Sequence, residues 1–207
     1  MKHNSMVIGL TGQTGAGKST LAEYAEKKGF AVINADAVAR EALEPGTECL
    51  RDLAEHFGYD IIDENGCCNR AVLAQRAFSS AEETEALNRL THPWIIRRSE
   101  EYISQLCHNN NDMIILDASQ LFESGGERLC DAVIAVTAPR EIRLERIMLR
   151  DNIDCNAAML RINAQHDEEY YAGRSDYVID GSADRQSVCE SFDRILGKLC
   201  ADPGAKR

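Results

Sequence analysis

The residues that most directly predict chemistry in this sequence are eight consecutive positions near its start. Their glycines permit backbone conformations that turn successive N–H groups toward one point, which suits the binding of phosphate. In such a loop the lysine reaches the β- and γ-phosphates and the hydroxyl residue ligates Mg²⁺. The sequence therefore predicts a site for a nucleoside triphosphate. The residues are Gly12, Gln13, Thr14, Gly15, Ala16, Gly17, Lys18 and Ser19, with Thr20 following them.

A phosphate loop alone leaves open what happens to the triphosphate. GTPases read guanine with an Asn-Lys-x-Asp sequence, which this chain does not contain. Motor-type ATPases end an apolar strand in Asp-Glu, but here Asp117 is followed by Ala118. Asp117 then suits either a water-mediated contact with Mg²⁺ or a cap at the strand end. A small-molecule kinase needs an acceptor site, a base and an arginine-bearing lid, and this pattern fits best.

Five apolar, β-branched runs predict the strands that position these residues. They cover residues 7–11, 31–35, 113–117, 132–136 and 177–180, and helical patterns separate them. This alternation predicts an α/β fold with a five-stranded parallel sheet, a helical substrate-binding insertion and a helical lid. We expect one kinase domain over residues 1–207, with a core of about 1–36, 112–138 and 175–207, an insertion of 37–111 and a lid of 139–174.

The insertion is predicted to be helical over residues 41–57, 70–78 and 82–106. Ser80 and Glu83 have the spacing of a capping box in front of the last of these helices. Pro93 suits the first turn of a helix, because its missing N–H group is not needed there. His92, which precedes it, suits either a buried structural histidine or a contact with the acceptor.

Asp36 and Arg40 are the candidate residues on the acceptor side. Asp36 directly follows the second predicted strand, and ligands bind at the carboxyl ends of strands in open α/β sheets. Its carboxylate is placed to accept the proton of an attacking hydroxyl, although an aspartate here also suits a helix N-cap. Arg40 follows one turn later on the same helix face and suits contact with an anionic acceptor.

An arginine-rich helix that begins near Pro139 predicts a lid over the triphosphate. Arg143, Arg146 and Arg150 stand at positions i, i+3 and i+7, so they share one helix face. Planar guanidinium groups suit the charge of a transferring phosphoryl group, whereas a solvated, salt-bridged surface is the alternative. Because the same chain carries a phosphate loop, we favour the lid.

The composition limits the partners. The 207 residues include 23 basic and 34 acidic ones, a net charge of −11, which disfavours nucleic acids and anionic membranes. No apolar run approaches the ~20 residues that span a bilayer, and no signal peptide is predicted. The eight cysteines lack a C-x-x-C spacing, which favours reduced thiols over zinc. We expect a cytoplasmic protein that acts on small molecules, as a monomer or a weak homo-oligomer.

Several longer stretches of the chain resemble the dephospho-coenzyme A kinase family. The resemblance covers about residues 7–185 and rests on stretches whose order and spacing match. The most specific are the Ala-Asp-x-x-Ala-Arg stretch with Pro-Gly and the His-Pro-x-Ile stretch. The stretches are 10–12 with 15–20, 32–36 with Ala39 and Arg40, Pro45-Gly46, Gly66 to Phe78, His92 to Ile95, Leu121-Phe122-Glu123, and 146–151 with 161–165.

The resemblance implies a transferase that uses Mg²⁺ and ATP to phosphorylate the ribose 3′-hydroxyl of dephospho-coenzyme A. It implies that Asp36 is the base, while Thr11, Arg40 and His92 contact the acceptor. Lys18 and Arg150, together with Arg146, would stabilise the transferring phosphoryl group. Ser19 and Asp117 are the expected contacts of Mg²⁺.

Departures from the family pattern keep two other functions open. Asn34 replaces an aspartate, Ser119 replaces a proline, and Gln13-Thr14 replaces Gly-Ile. The Asn-x-Gly that usually follows the last strand is altered at 180–182. The alternatives are a kinase for another small metabolite and a catalytically silent nucleotide sensor.

Overall fold

The structure is a computed structural model that describes residues 5–109 and 111–201. The ends of the predicted domain, at 1–4 and 202–207, lie outside the described residues, as does residue 110. The strands are β1 (Met6–Gly12), β2 (Ala31–Asn34), β3 (Met113–Asp117), β4 (Ala132–Thr137) and β5 (Tyr177–Asp180). They form one sheet in the order β2-β3-β1-β4-β5.

The helices connect these strands in the alternation that the sequence predicts. They are α1 (Lys18–Lys27), α2 (Ala35–Glu41), α3 (Glu48–Phe57), α4 (Arg70–Ala77), α5 (Ala81–His108), α6 (Arg140–Asp151), α7 (Cys155–Asn163), α8 (Glu168–Ala172) and α9 (Arg185–Ala201). Short 3-10 helices lie at Tyr59–Ile61 and Gly126–Leu129. No helix formed by the described residues is long and apolar enough to cross a membrane.

The described chain divides into two compact units. One contains residues 5–33, 105–109 and 111–201, and the other contains Asn34–Ser104. In the first unit β1 pairs in parallel with β3 and with β4, and β4 pairs in parallel with β5. This register places Leu10 beside Asp117 and Gly12 beside Val136. The central strand therefore leads directly into the phosphate loop.

Buried apolar side chains hold each unit together separately. In the sheet unit, Ile8 and Leu10 of β1 and Phe192 of α9 have no exposed surface, and they belong to one cluster. In the helical unit, a second cluster forms around Leu50 and Leu53 of α3. Burial of large aliphatic or aromatic side chains contributes about 1.5–3 kcal/mol each relative to exposure, so each unit has its own core.

The predicted helix over 41–57 is wrong, because the chain leaves the helix between α2 and α3. Pro45 cannot donate a backbone hydrogen bond, and Gly46 adopts a left-handed conformation with φ of 82°. Helix α3 then begins at a new cap, where Thr47 Oγ1 accepts a hydrogen bond from the Leu50 N–H at 3.2 Å.

Two smaller expectations about helix ends also need correction. Pro93 lies inside α5 rather than in a first turn. The loss of one backbone hydrogen bond is offset by buried residues on both sides of it, among them Ala86 and Ile96. The capping box is half formed: Ser80 Oγ accepts from the Glu83 N–H at 3.2 Å, but the Glu83 carboxylate contacts His56 at 2.9 Å.

Candidate active site

The phosphate loop connects the end of β1 to the start of α1. Gly17 is the N-cap residue of α1, with φ of 109°, and it provides no side-chain cap. The first N–H groups of a helix have no partner within the helix, and they carry a partial positive charge. A strand, a glycine-rich turn and an uncapped helix start together form an anion-binding surface.

Gly15 is a position at which the surroundings of the loop exclude a side chain. Its φ is 78°, a left-handed conformation that L side chains rarely adopt. A β-carbon at this position would lie 2.8 Å from the carbonyl oxygen of Arg143 in α6. Helix α6 therefore packs directly against the loop.

Lys18 and Asp117 form an ion pair in this unit. The ammonium donates to the Asp117 Oδ1, and only 13% and 6% of the two side chains are exposed. Asp117 ends β3 beside Leu10 of β1, so the sheet register brings the carboxylate to the phosphate loop. A triphosphate would have to draw the Lys18 ammonium away from this carboxylate.

Helix α6 contains four arginines, and the three at positions 143, 146 and 150 lie in three different environments, so they do not form one exposed cationic surface. Arg143 is buried, and its Nε donates to the Ala138 carbonyl oxygen at 3.1 Å. Burial lowers the pKa of Arg143, since the charged form is poorly solvated. Arg150 is exposed and pairs with Asp151, at 2.7 Å from its Nε. This hydrogen bond holds the pKa of Asp151 below its ordinary value.

Arg146 lies between these two and contacts the phosphate loop from outside. Its Nη1 donates to the carbonyl oxygen of Gly181 at 2.8 Å. It also lies 3.3 Å from the carbonyl oxygens of Gly15 and Ala16. One guanidinium thus joins the phosphate loop to the turn that follows β5.

A cavity of about 200 Å³ lies beside this arginine in the same unit. The sequence reasoning did not select Arg185, which lines it, because no motif marks this position. Arg185 forms an ion pair with Glu23 of α1 at 3.5 Å. The cavity is lined by Gly17, Thr20, Arg146, Gly181, Ala183, Arg185 and Val188.

Thr11 is fully buried at the end of β1, next to the loop. Its hydroxyl oxygen has no hydrogen-bond partner among the described residues. A buried hydroxyl without a partner is uncommon and needs an explanation. Its position at the start of the loop makes it a candidate for contact with a substrate.

In the helical unit, Asp36 and Arg40 lie one turn apart on α2, and both are exposed. The alternative role of Asp36 as an N-cap is wrong. That cap is Asn34, whose side chain accepts a hydrogen bond from the Ala37 N–H at 2.9 Å. Asp36 therefore lies in the first turn of α2.

A network of charged and polar groups attaches the end of α2 to α5. Arg98 Nε donates to Glu41 Oε2 at 3.1 Å, and the Tyr102 hydroxyl lies 2.9 Å from the same carboxylate. Hydrogen bonds to Glu101 and Glu41 hold the pKa of Arg98 above its ordinary value. His92 lies on the same helix α5 and is half-buried.

The expected Mg²⁺ contacts are hard oxygen donors, which fits that ion. Ser19 lies in the first turn of α1, and Asp117 lies at the end of β3. Within the described part of the chain, no group of three His, Cys, Asp or Glu residues could hold a metal ion. Mg²⁺ in kinases is held by one or two protein oxygens, substrate phosphates and water.

Comparisons with known proteins agree with this geometry. The profile of the dephospho-CoA kinase family matches residues 6–186. Dephospho-CoA kinase from Syntrophotalea carbinolica is 35% identical, with 97% of this chain and 94% of the relative covered. The enzyme of the same name from Corynebacterium diphtheriae is 41% identical, with coverages of 92% and 94%.

A solved structure extends the agreement to the fold. Dephospho-CoA kinase from Campylobacter jejuni superposes with a TM-score of 0.68 at 27% identity, covering 93% of this chain and 96% of that one. The predicted α/β kinase fold with a five-stranded parallel sheet is confirmed. The chain belongs to the dephospho-CoA kinase family and is an ATP-dependent transferase of coenzyme A biosynthesis.

Proposed function

We propose a mechanism by which this kinase transfers the γ-phosphoryl group of ATP to the ribose 3′-hydroxyl of dephospho-coenzyme A. The observation that carries it is the preformed phosphate loop, with Lys18 at its end and Arg146 braced against its backbone. The N–H groups of the loop and of the first turn of α1 would bind the triphosphate. Lys18 would leave Asp117 and bind the β- and γ-phosphates.

Ser19 and Asp117 would hold Mg²⁺ in this proposal. Once Lys18 has moved to the phosphates, the Asp117 carboxylate can receive a second cation or a water molecule bound to it. Bound Mg²⁺ would supply positive charge that neutralises the phosphate oxygens. The role of the protein is then to place two oxygen donors at the loop, which is where α1 begins and β3 ends.

We assign the acceptor role to Asp36, with Thr11, Arg40 and His92 as contacts of dephospho-coenzyme A. The 3′-oxygen forms a bond to the γ-phosphorus, the bond from that phosphorus to the bridging oxygen breaks, and ADP leaves. The proton of the hydroxyl passes to Asp36. Since the transition state is loose, the carboxylate acts chiefly by orienting the hydroxyl. The exposed position of Asp36 and Arg40, one turn apart on α2, supports this assignment.

We further assign a lid to residues 139–174, with Arg150 as the group that stabilises the transferring phosphoryl charge. Arg150 is exposed and paired only with its neighbour Asp151 among the described partners. An exposed ion pair contributes little, ~0–1 kcal/mol, so the guanidinium can exchange this carboxylate for a phosphate. Closure would exclude water and limit the hydrolysis of ATP.

A cytoplasmic location and a monomeric or weakly associating state complete the proposal. All eight cysteines are free, which suits a reducing compartment. Burial raises the pKa of Cys49 to about 11, so this thiol is unreactive at neutral pH. Light scattering of the purified protein would give the mass, and a stable oligomer at micromolar concentration would contradict the proposed state.

The experiment that tests the reaction is a product assay. The protein is incubated with Mg·ATP and dephospho-coenzyme A, and mass spectrometry measures coenzyme A and ADP. We expect equal amounts of both products, with the new phosphate on the 3′-oxygen. ADP without coenzyme A, or no turnover by folded protein that binds ATP, would contradict the proposal.

A further inference from the structure

Two glutamines connect the phosphate loop to the turn between α7 and α8, 151 or more residues further along the chain. The Thr14 N–H donates to Gln165 Oε1 at 2.7 Å. In the opposite direction, Gln13 Nε2 donates to the carbonyl oxygen of His166 at 3.1 Å. We call this pair of hydrogen bonds the clasp.

The residue of the clasp that belongs to the phosphate loop is buried. Gln13 is only 3% exposed, and its Oε1 has no hydrogen-bond partner within residues 5–109 and 111–201. Burying an amide with one unsatisfied oxygen costs free energy. The glutamine is nevertheless held in this position, and the contact that it makes there is the hydrogen bond to His166.

Helix α8, which follows the turn that carries Gln165, contacts the segment that follows β3. Tyr171 in α8 is fully buried, and its hydroxyl donates to Glu123 Oε1 at 3.2 Å. The Tyr170 ring lies edge-on to Phe122, with 6.1 Å between the ring centroids. Contacts with the phosphate loop and with the segment after β3 therefore hold this turn and α8, whereas Arg150 near the end of α6 is exposed.

We propose that Gln13 and Gln165 act as one positioning unit that holds the phosphate loop in its ATP-binding shape. Gln165 engages the Thr14 N–H, so this N–H group is held by the protein itself. Without this acceptor the Thr14 N–H would lose its partner, and the loop would lose this connection to the turn between α7 and α8. The inference rests on the proposed role of the loop in binding ATP, and it assigns a positioning role to two glutamine side chains.

A double-mutant cycle tests the clasp. Gln13→Met, Gln165→Met and the double variant remove the hydrogen bonds at nearly constant volume, and calorimetry measures the Kd of Mg·ATP without acceptor. We expect each single variant to weaken binding about tenfold, equivalent to ~1.4 kcal/mol, with no further loss in the double variant. The KM of dephospho-coenzyme A should change less than twofold. Gln186→Met, which removes an exposed bond to Glu190 (2.8 Å), is the matched control.

Three outcomes would overturn the clasp. The first is that the losses of Mg·ATP affinity in the two single variants multiply in the double variant. The second is that the variants weaken the use of both substrates equally. The third is that the variants bind Mg·ATP as well as the unchanged protein does. Because Gln165 is only half-buried, its variant alone carries the test if Gln13→Met does not fold. The binding measurement does not depend on turnover. A protein that fails to make coenzyme A would therefore contradict the proposed function, and the binding data would still test the clasp.

Discussion

The sheet unit and the helical unit hold their candidate site residues in different ways. In the sheet unit, Lys18 is buried in an ion pair and Arg146 is bonded to backbone carbonyl oxygens. In the helical unit, Asp36 and Arg40 are exposed on a helix of seven residues. A nest of backbone donors must be preformed to bind phosphate, because backbone groups cannot rotate independently. Side chains on a short helix can adjust to the acceptor instead.

This difference predicts that variants in the two units affect different substrates. Changes at Lys18 and Arg146 in the sheet unit should weaken the use of ATP and leave the acceptor constants intact. Changes on α2 should weaken the use of dephospho-coenzyme A and leave the constants for ATP intact. A variant that changes the constants for ATP and for dephospho-coenzyme A equally would contradict this comparison. The variants below test for such a residue.

The largest effect is expected for Asp36→Asn. The amide cannot accept the proton of the acceptor hydroxyl, so kcat should fall about a thousandfold, while the Kd of Mg·ATP stays within twofold. Rapid-quench measurement of coenzyme A formation gives kcat, and calorimetry gives the Kd. Asp52→Asn, an exposed position on α3, is the control. Near-normal turnover of Asp36→Asn would remove this residue from the mechanism.

Lys18→Met should reduce kcat/KM for ATP by about a hundredfold or more, because a charge at the phosphates is lost. The Kd of dephospho-coenzyme A, measured without ATP, should not change. Lys27→Met, in the last turn of α1, removes an equal charge away from the loop. An unchanged dependence on ATP would contradict the assignment of the phosphate loop itself.

Much of the sheet unit could be predicted from the sequence because its signals are local. All five strands lie within two residues of their predicted ends, since each is a continuous apolar run between polar turns. The loop from Gly12 to Ser19 has fixed spacing, and its position between β1 and α1 follows from those strands. The resemblance supplied the family, which the comparisons confirm.

The errors and omissions arise where distant segments or competing caps decide the structure. The cap on α2 is Asn34 rather than Asp36, although either residue type suits an N-cap. The burial of Arg143 and the clasp of Gln165 on Thr14 depend on packing between segments far apart in sequence. Helical periodicity shows that residues share a face, but it does not show what each one contacts.

A smaller effect is expected for Arg40→Gln on α2. The variant removes a charge-assisted contact with an anionic acceptor, so the KM of dephospho-coenzyme A should rise about tenfold, with an unchanged KM for ATP. The control is Arg51→Gln, at an exposed position on α3, because it changes the net charge by the same amount as Arg40→Gln. If both KM values rise together, Arg40 does not serve the acceptor selectively.

The smallest effect is expected for Arg146→Met, and it separates bracing of the loop from contact with phosphate. Loss of the hydrogen bond to Gly181 should cost about 1 kcal/mol and lower Tm by about 2–4 °C. The KM for ATP should rise only a few-fold, because the loop keeps its contacts with Arg143 and Gln165. Arg150→Met removes an exposed arginine on the same helix and should leave Tm unchanged, so differential scanning calorimetry of both variants compares a bonded arginine with an exposed one. A full loss of ATP binding without any fall in Tm would mean that Arg146 acts on the phosphates rather than on the loop.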